Sequence, residues 1–270
     1  MRVEAYLGRI GIQGNPQPNL EPSFETLRKL HLAHLYSVPF ENLDIPLGQP
    51  LGLSLPVLFD KIVGRRRGGF CYELNGLFAW LLQELGFPVV RLAGRVFGEE
   101  GLGPPFDHML LVVGEREKWI ADVGFGDSFL EPLVWRRGEQ VSQGHSFRLL
   151  EEQGIWTLQR LVSGAAWESQ YLFSEEAHPL EAFEEMCHYQ QTSPGSVFTR
   201  KATCSRATVG GRVTLANGRL ILTEGSDRRT KRVESAEEYR ALLRKHFAMA
   251  LPREAPVENL LGPSPVSSSL

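Results

Sequence analysis

Residues 67–87 read RGGFCYELNGLFAWLLQELGF, and the fold of the chain turns on how this stretch is read. Leu74, Leu77, Phe78, Leu81, Leu82 and Leu85 recur at i, i+3 and i+4, the period of a helix with one buried stripe, and Gly86 and Pro88 supply the stop. Cys71 then falls in the first turn, off that stripe. Unpaired N–H groups and the positive end of the helix dipole favour a thiolate there, and the glycine pair before it lets backbone or a ligand come close. A small buried hydrophobe is the other use of a free cysteine, and the stretch alone leaves both open. A nucleophile needs a base.

The chain has 270 residues, enough for one large domain or two to three small ones. Its 42% hydrophobic and 23% charged residues are those of an ordinary soluble globular protein, and a net charge of −3 gives no footprint for nucleic acid or an anionic membrane, so neither is expected as a partner. No uninterrupted apolar stretch reaches the ~18 residues of a membrane helix. Glu4 and early glycines stand where a secretory signal would carry its apolar segment, so a cytoplasmic protein is expected. Cys71, Cys187 and Cys204 lack CxxC spacing; reduced thiols fit better than a disulfide framework or a zinc site, and no metal is expected.

Up to about residue 86 the pattern is helical, with Ser23 placed to cap PSFETLRKLHLAHLYSV. From about 87, short β-branched and aromatic runs, VVRLAGRVF, HMLLVV, WIADVGF, SFRLLEE and IWTLQRLV, alternate with turn residues as in an antiparallel sheet or barrel. After SPGS (193–196), Asn217 and Gly218 predict a two-residue hairpin turn, and Ser235 with Glu238 predicts a capping box over a helix. The Pro/Ser-rich end, GPSPVSSSL, reads as a frayed tail. The order of helical, β and mixed segments predicts an α+β fold.

Among the seven histidines, His31, His34 and His246 lie in helical patterns, and His188 is adjacent to Cys187 on a predicted helix, so those two point apart. His108 opens HMLLVVGEREKWIADVGFG, two apolar runs around a charged turn. A turn centred on Glu115 sets His108 opposite Asp122 on one face; a turn centred between 115 and 116 would separate them. Asp122 stands between Ala121 and Val123, an odd place for a solvated charge, where bonding to a backbone turn is its alternative use. Thiol, imidazole and carboxylate together form the nucleophile, base and orienter set of cysteine acyl-transfer enzymes.

At these residues the chain closely resembles the arylamine N-acetyltransferases, whose strings appear as VPFENLD (38–44), RGGFCYELN (67–75), HMLLVV (108–113), DVGFG (122–126) and SPGSVFT (193–199). The resemblance implies a helical domain over 1–86, an antiparallel β-barrel over 87–188 and an α/β lid over 189–270. Cys71, His108 and Asp122 would be catalytic and meet at the first junction. It also implies that Glu41 and Asn42 meet Arg67 in a network beside the site, and that Phe40, Val96, Phe125, Phe129 and Phe198 line an apolar pocket. The segment from 140 to 180 carries no matching motif.

The implied chemistry is ping-pong transfer of an acetyl group from acetyl-CoA, through an acetyl-cysteine, to an aromatic amine or hydrazine, a role in xenobiotic metabolism. His108 would hold Cys71 as a thiolate. Related amide synthases, cysteine hydrolases and transglutaminase-like enzymes share the triad. For the CoA pyrophosphate, the backbone at Gly98, Gly101 and Gly103 offers N–H groups, against Glu99 and Glu100; Arg65 and Arg66 are alternative phosphate partners. A homo-oligomer is compatible with the sequence.

Overall fold

The Cys71–Glu84 helix runs through the centre of the molecule, and every residue from Cys71 to Leu82 is buried, including Glu73 and Asn75. The one-sided stripe expected from the leucine spacing is therefore too narrow a reading. Helices Val3–Arg9 and Leu55–Phe59 and the strand His108–Val113 pack on this helix, while His31 and His34 of helix Phe24–Ser37 set their rings edge-on against Phe78. Cys71 is thus 3% exposed and part of the core. Ser23 caps the Phe24–Ser37 helix as expected, accepting from the Thr26 N–H at 3.2 Å.

The computed structural model describes residues 1–12, 20–99, 101–162 and 166–262, and these form an α+β fold. An antiparallel sheet runs in the order Leu133–Val134, Trp119–Ala121, His108–Val113, Val89–Gly98, Ala166–His178, Ile155–Val162, His145–Glu152, Gly138–Ser142. Its two ends nearly close into a barrel. The seam is bridged by one side chain: the Gln140 amide donates to the Val134 carbonyl at 2.8 Å and accepts from its N–H at 2.7 Å. All six residues of His108–Val113 are buried, because Met109, Leu111 and Val113 face the helices while Leu110 and Val112 face the barrel core of Phe147, Leu149 and Leu158. A strand covered on both sides reads as a continuous apolar run, as HMLLVV does.

The longest strand, Ala166–His178, comes from the segment without a motif, and its register shifts between Ser169 and Tyr171 against one neighbour and between Phe173 and Ala177 against the other. Such bulges break the alternation that makes a strand legible.

A second sheet, ordered Phe40–Glu41, Thr203–Thr208, Gly211–Ala216, Arg219–Glu224, Asp227–Arg232, takes its first strand from VPFENLD. Helix Ala236–Phe247 covers it, with Tyr239, Leu243 and Phe247 clustered with Val213, Leu215 and Leu220. Ala216 pairs with Arg219, so Asn217 and Gly218 form the two-residue turn that was expected, both at positive φ. Ser235 caps the helix by accepting from the Glu238 N–H at 3.1 Å, but the Glu238 carboxylate takes the N–H of Glu234, one residue before the position the capping box predicts. Residues 263–270 of the expected tail, and Glu100, lie outside the described residues. Among the described residues no helix is long and apolar enough to cross a membrane.

Candidate active site

Two close approaches of backbone bring the pieces of the site together. At Gly68 a Cβ would stand 2.0 Å from the Pro39 carbonyl oxygen, so only glycine lets the 38–44 segment lie against the approach to Cys71. At Gly124 a Cβ would stand 2.7 Å from the Cys71 Cα, so the chain just after Asp122 rests on the head of the helix. The thiol and the carboxylate string are therefore neighbours by backbone packing.

His108 and Asp122 then complete the cluster. His108 Nε2 and Asp122 Oδ2 are 2.7 Å apart, with side chains 2% and 0% exposed. The hairpin pairs Leu111 with Ala121, Val112 with Ile120 and Val113 with Trp119, which centres the turn on Arg116, one residue later than the sequence reading. A turn centred on a residue keeps the faces in phase, so the two side chains share a face as diagonal neighbours instead of direct opposites. The ladder ends at Ala121, and Asp122 is fixed by side chains. Its Oδ1 accepts from Asn75 Nδ2 at 2.9 Å and from the Gly124 N–H at 3.0 Å, and its own N–H donates to His31 Nε2 at 3.1 Å.

Electrostatics follow from these bonds. Burial alone would raise the Asp122 carboxyl, but the His108 ring, its hydrogen bond, and those from Asn75 and Gly124 together hold it below the usual carboxylate range. Burial pushes the Cys71 thiol well up, and a hydrogen bond from the Met109 backbone, next to His108, opposes this. Burial and the helix head thus act on the thiol in opposite directions, and a proton leaving Cys71 needs an acceptor. With Nε2 committed to Asp122, Nδ1 is the imidazole nitrogen outside that bond. Cys187 and Cys204 are also buried and free; burial raises Cys187 to about 12 and Cys204 well above its ordinary value.

Of the five expected pocket residues, four gather here. Phe125 stands edge-on to His108 at 5.3 Å between ring centres, and Phe40 and Phe198 are 6.2 Å apart, with Phe198 against Phe70 at 5.5 Å. Val96 pairs in the sheet with Tyr171, whose ring lies 5.1 Å from His108. Phe129 is not among them: it is 1% exposed, stacked on His31 at 5.7 Å and edge-on to Phe147, inside the barrel core.

Gly103 does not offer its N–H as expected, since it donates to the Val96 carbonyl at 2.8 Å; Gly98 and Gly101 pair at the tip of the same hairpin. Arg65 is ion-paired with Asp60 at 2.9 Å.

Beside the helix head lies a buried chain of charges. Arg67 bridges Glu41 and Asp44 at 2.8 Å each, and Lys61 bridges Asp44 and Glu73 at 2.8 Å each. Glu73 also accepts the Phe70 N–H at 3.1 Å, which fixes the entry to the helix. Asn42, expected to join Arg67, instead donates to the Phe198 and Lys201 carbonyls at 2.9 and 2.7 Å and accepts from the Thr203 N–H, tying Phe198 to the second sheet.

Three residues of the site were missed in the sequence. Asn75 has a visible signal, an amide one turn beyond Cys71 in an otherwise apolar helix. His31 reads as an ordinary helical histidine; it is buried, accepts from Asp122 and bonds the Leu130 carbonyl at 2.8 Å through Nδ1, and burial lowers it to about 4. Tyr171 lies in the motif-free segment; its buried hydroxyl has no hydrogen-bond partner of normal geometry.

An α+β chain with a buried thiol at a helix head, and a carboxylate-held imidazole on a hairpin whose end packs against that head at Gly124, carries the residue types of a cysteine-dependent acyl-transfer protein. Comparison with known proteins narrows this. A family model described as N-acetyltransferase matches residues 23–255. An arylamine N-acetyltransferase of Mycolicibacterium smegmatis is 36% identical over 260 residues, 93% of each chain. The structure of the Salmonella typhimurium arylamine N-acetyltransferase superposes with a TM-score of 0.87 at 33% identity, covering 96% of both chains. That of the Mycobacterium marinum arylamine N-acetyltransferase in complex with CoA gives 0.83 at 31% identity, covering 92% of this chain and 93% of that one. The chain belongs to the arylamine N-acetyltransferase family and is an acetyltransferase.

Proposed function

We propose that this enzyme moves an acetyl group from acetyl-CoA to an aromatic amine or hydrazine by a ping-pong mechanism, with Cys71 as nucleophile, His108 as base and Asp122 as orienter. The observation that carries the reading is the buried 2.7 Å contact of His108 Nε2 with Asp122, on a hairpin whose end packs at Gly124 against the helix head that carries Cys71. His108 Nδ1 takes the Cys71 proton, and Asp122 stabilises the imidazolium. The sulfur attacks the thioester carbonyl; N–H groups of Cys71 or Tyr72 at the helix head hold the oxyanion. The C–S bond to CoA breaks, His108 returns the proton to the departing thiolate, and acetyl-Cys71 remains. The amine nitrogen then attacks that thioester, His108 accepts its proton, and Cys71 is released as the acetamide leaves. Arylamines suit this step because they are weakly basic and arrive neutral at pH 7. Phe40, Val96, Phe125 and Phe198 form the apolar wall against which the ring lies. The CoA-bound relative supports the donor.

Acetyl-CoA without an amine is expected to acetylate Cys71 once per chain and release CoA in a single burst, leaving Cys187 and Cys204 unlabelled. Mass spectrometry then follows the acetyl group onto added arylamine. Full activity with an unmodified Cys71 overturns the reading.

A further inference from the structure

An open cavity of about 470 Å³ lies where the barrel, the helix Phe24–Ser37 and the second sheet meet, and it is not part of the site above. Arg160 reaches it from the barrel and Arg212 from the second sheet. Both converge on one oxygen of Asp127: Arg160 Nη1 at 3.5 Å and Arg212 Nε at 3.2 Å. The two arginine side chains are largely covered, 22% and 15% exposed, whereas that of Asp127 is 63% exposed. Among the described residues Asp127 is the only acid on the lining, and His145, 3.4 Å from Arg160, adds a further nitrogen. Two shielded, well-oriented cations against one loosely held carboxylate leave unspent positive charge, and the carboxylate marks where an anion sits.

The position relates the cavity to the reaction. Gly126, which precedes Asp127, has its missing Cβ 3.4 Å from the Phe40 ring, so the cavity begins where the aromatic wall ends. Its volume is that of a small-molecule pocket, not of a single ion, and the hydroxyl-bearing residues Tyr36, Thr208 and Thr223 are on its lining.

We infer that Arg160 and Arg212 bind the phosphate monoester at the nucleotide end of the acyl donor, displacing the Asp127 carboxylate that occupies their donors in its absence. This rests on the acetyl-CoA reading of the preceding section and adds the residues that recognise the donor's far end. A dianionic phosphate competes well with a monoanionic carboxylate for two guanidiniums. Asp127 then keeps the pair apart from stray monoanions and makes occupancy depend on the stronger anion.

The test compares acetyl-CoA with acetyl-3′-dephospho-CoA in the intact enzyme and in R160Q, R212Q, R160Q/R212Q and D127N. In the wild type the KM for the dephosphorylated donor is expected to be about tenfold higher, the loss of one charge-assisted contact. In the double variant the two donors should have equal, raised KM values with kcat unchanged, and D127N should lower the KM for acetyl-CoA. A retained thermal midpoint separates lost binding from lost folding. Calorimetry with adenosine 3′,5′-bisphosphate, adenosine 5′-monophosphate and inorganic phosphate runs beside the kinetics. Binding of the bisphosphate that needs both arginines supports the inference even if no acetyl transfer is found, in which case the proposed function alone fails. Equal donor KM values in the wild type, or phosphate binding as tightly as the bisphosphate, overturns the assignment to the donor.

Discussion

Asn75 and Asp122 share a 2.9 Å hydrogen bond between the helix that begins at Cys71 and the end of the hairpin that carries His108. The same amide donates to the Met109 carbonyl at 2.6 Å and accepts from the Val123 N–H at 2.9 Å. One side chain, a single turn beyond the thiol, therefore ties the Cys71 helix to Met109, next to His108, and to Asp122. Asp122 is held by a helix residue rather than by the strand ladder, which has ended before it.

Asn75→Ala leaves a buried carbonyl, a buried carboxylate oxygen and a buried N–H each short of a partner. A loss of about 2–4 kcal/mol of stability is expected, read by urea unfolding, with a fall in kcat/KM at temperatures where the variant stays folded. Unchanged kcat/KM would mean that the ladder and His31 suffice to place Asp122.

Asp122→Asn tests the orienter without changing shape. The Asn75 amide and the Gly124 N–H both point at Oδ1, so the oxygen of the new amide stays there and its NH₂ faces His108 Nε2. The ring must then carry its proton on Nδ1, the nitrogen proposed to accept one. A fall in kcat of about 10³–10⁴ is expected, by analogy with carboxylate-to-amide changes in Ser-His-Asp triads. Wild-type kcat in this variant would remove Asp122 from the mechanism.

What could be read in the sequence was what local chemistry dictates. The helix at Cys71, the Asn217–Gly218 turn and the Ser23 cap depend on residues within a turn of one another, and each forms. The His108–Asp122 contact was found through strand parity, although the turn centre was off by one residue, because a single-residue shift of that centre preserves which face a side chain is on. Burial of Cys71, the stacking of Phe129 on His31 and the turning of Asn42 toward Phe198 are set by tertiary packing between segments up to about 160 residues apart, which periodicity does not report. The bulged Ala166–His178 strand hid Tyr171 for the same reason.

His31 gives the site an acid limit. Burial holds the ring neutral, lowering it to about 4 from an ordinary 6.5, and His34 is also lowered by burial. The unfolded chain therefore binds protons that the folded chain does not between about pH 6.5 and 4, so stability is complete above this window and lost as pH falls through it, by up to about 1.4 kcal/mol per pH unit for each ring. Thermal midpoints from pH 7.5 to 4.5 should fall steeply in the wild type and less steeply in His31→Gln, which starts lower but has one proton fewer to take up. Parallel slopes would mean that His31 takes up its proton in the fold over the same range as in the unfolded chain.

Lys61 is the charge on which the helix entry rests. Its ammonium is 3% exposed, 2.8 Å from both Asp44 and Glu73, and Glu73 in turn holds the Phe70 N–H just before Cys71. Lys61→Met keeps the chain length but leaves Glu73 buried without a counter-charge, at a cost of about 3–5 kcal/mol. Burial already raises Glu73, and loss of the Coulombic attraction and hydrogen bond from Lys61 raises it further. A carboxyl whose folded pKa lies above its unfolded one gives up stability as pH rises between the two, so the deficit of the variant should be smaller at pH 5 than at pH 8. Adding Glu73→Gln removes the buried charge while its carbonyl oxygen still accepts from Phe70, and the double variant should recover about 2 kcal/mol or more. Urea unfolding at the two pH values decides it: a pH-independent deficit, or no recovery in the double variant, would mean that Lys61 acts by packing and by its bond to Asp44 alone.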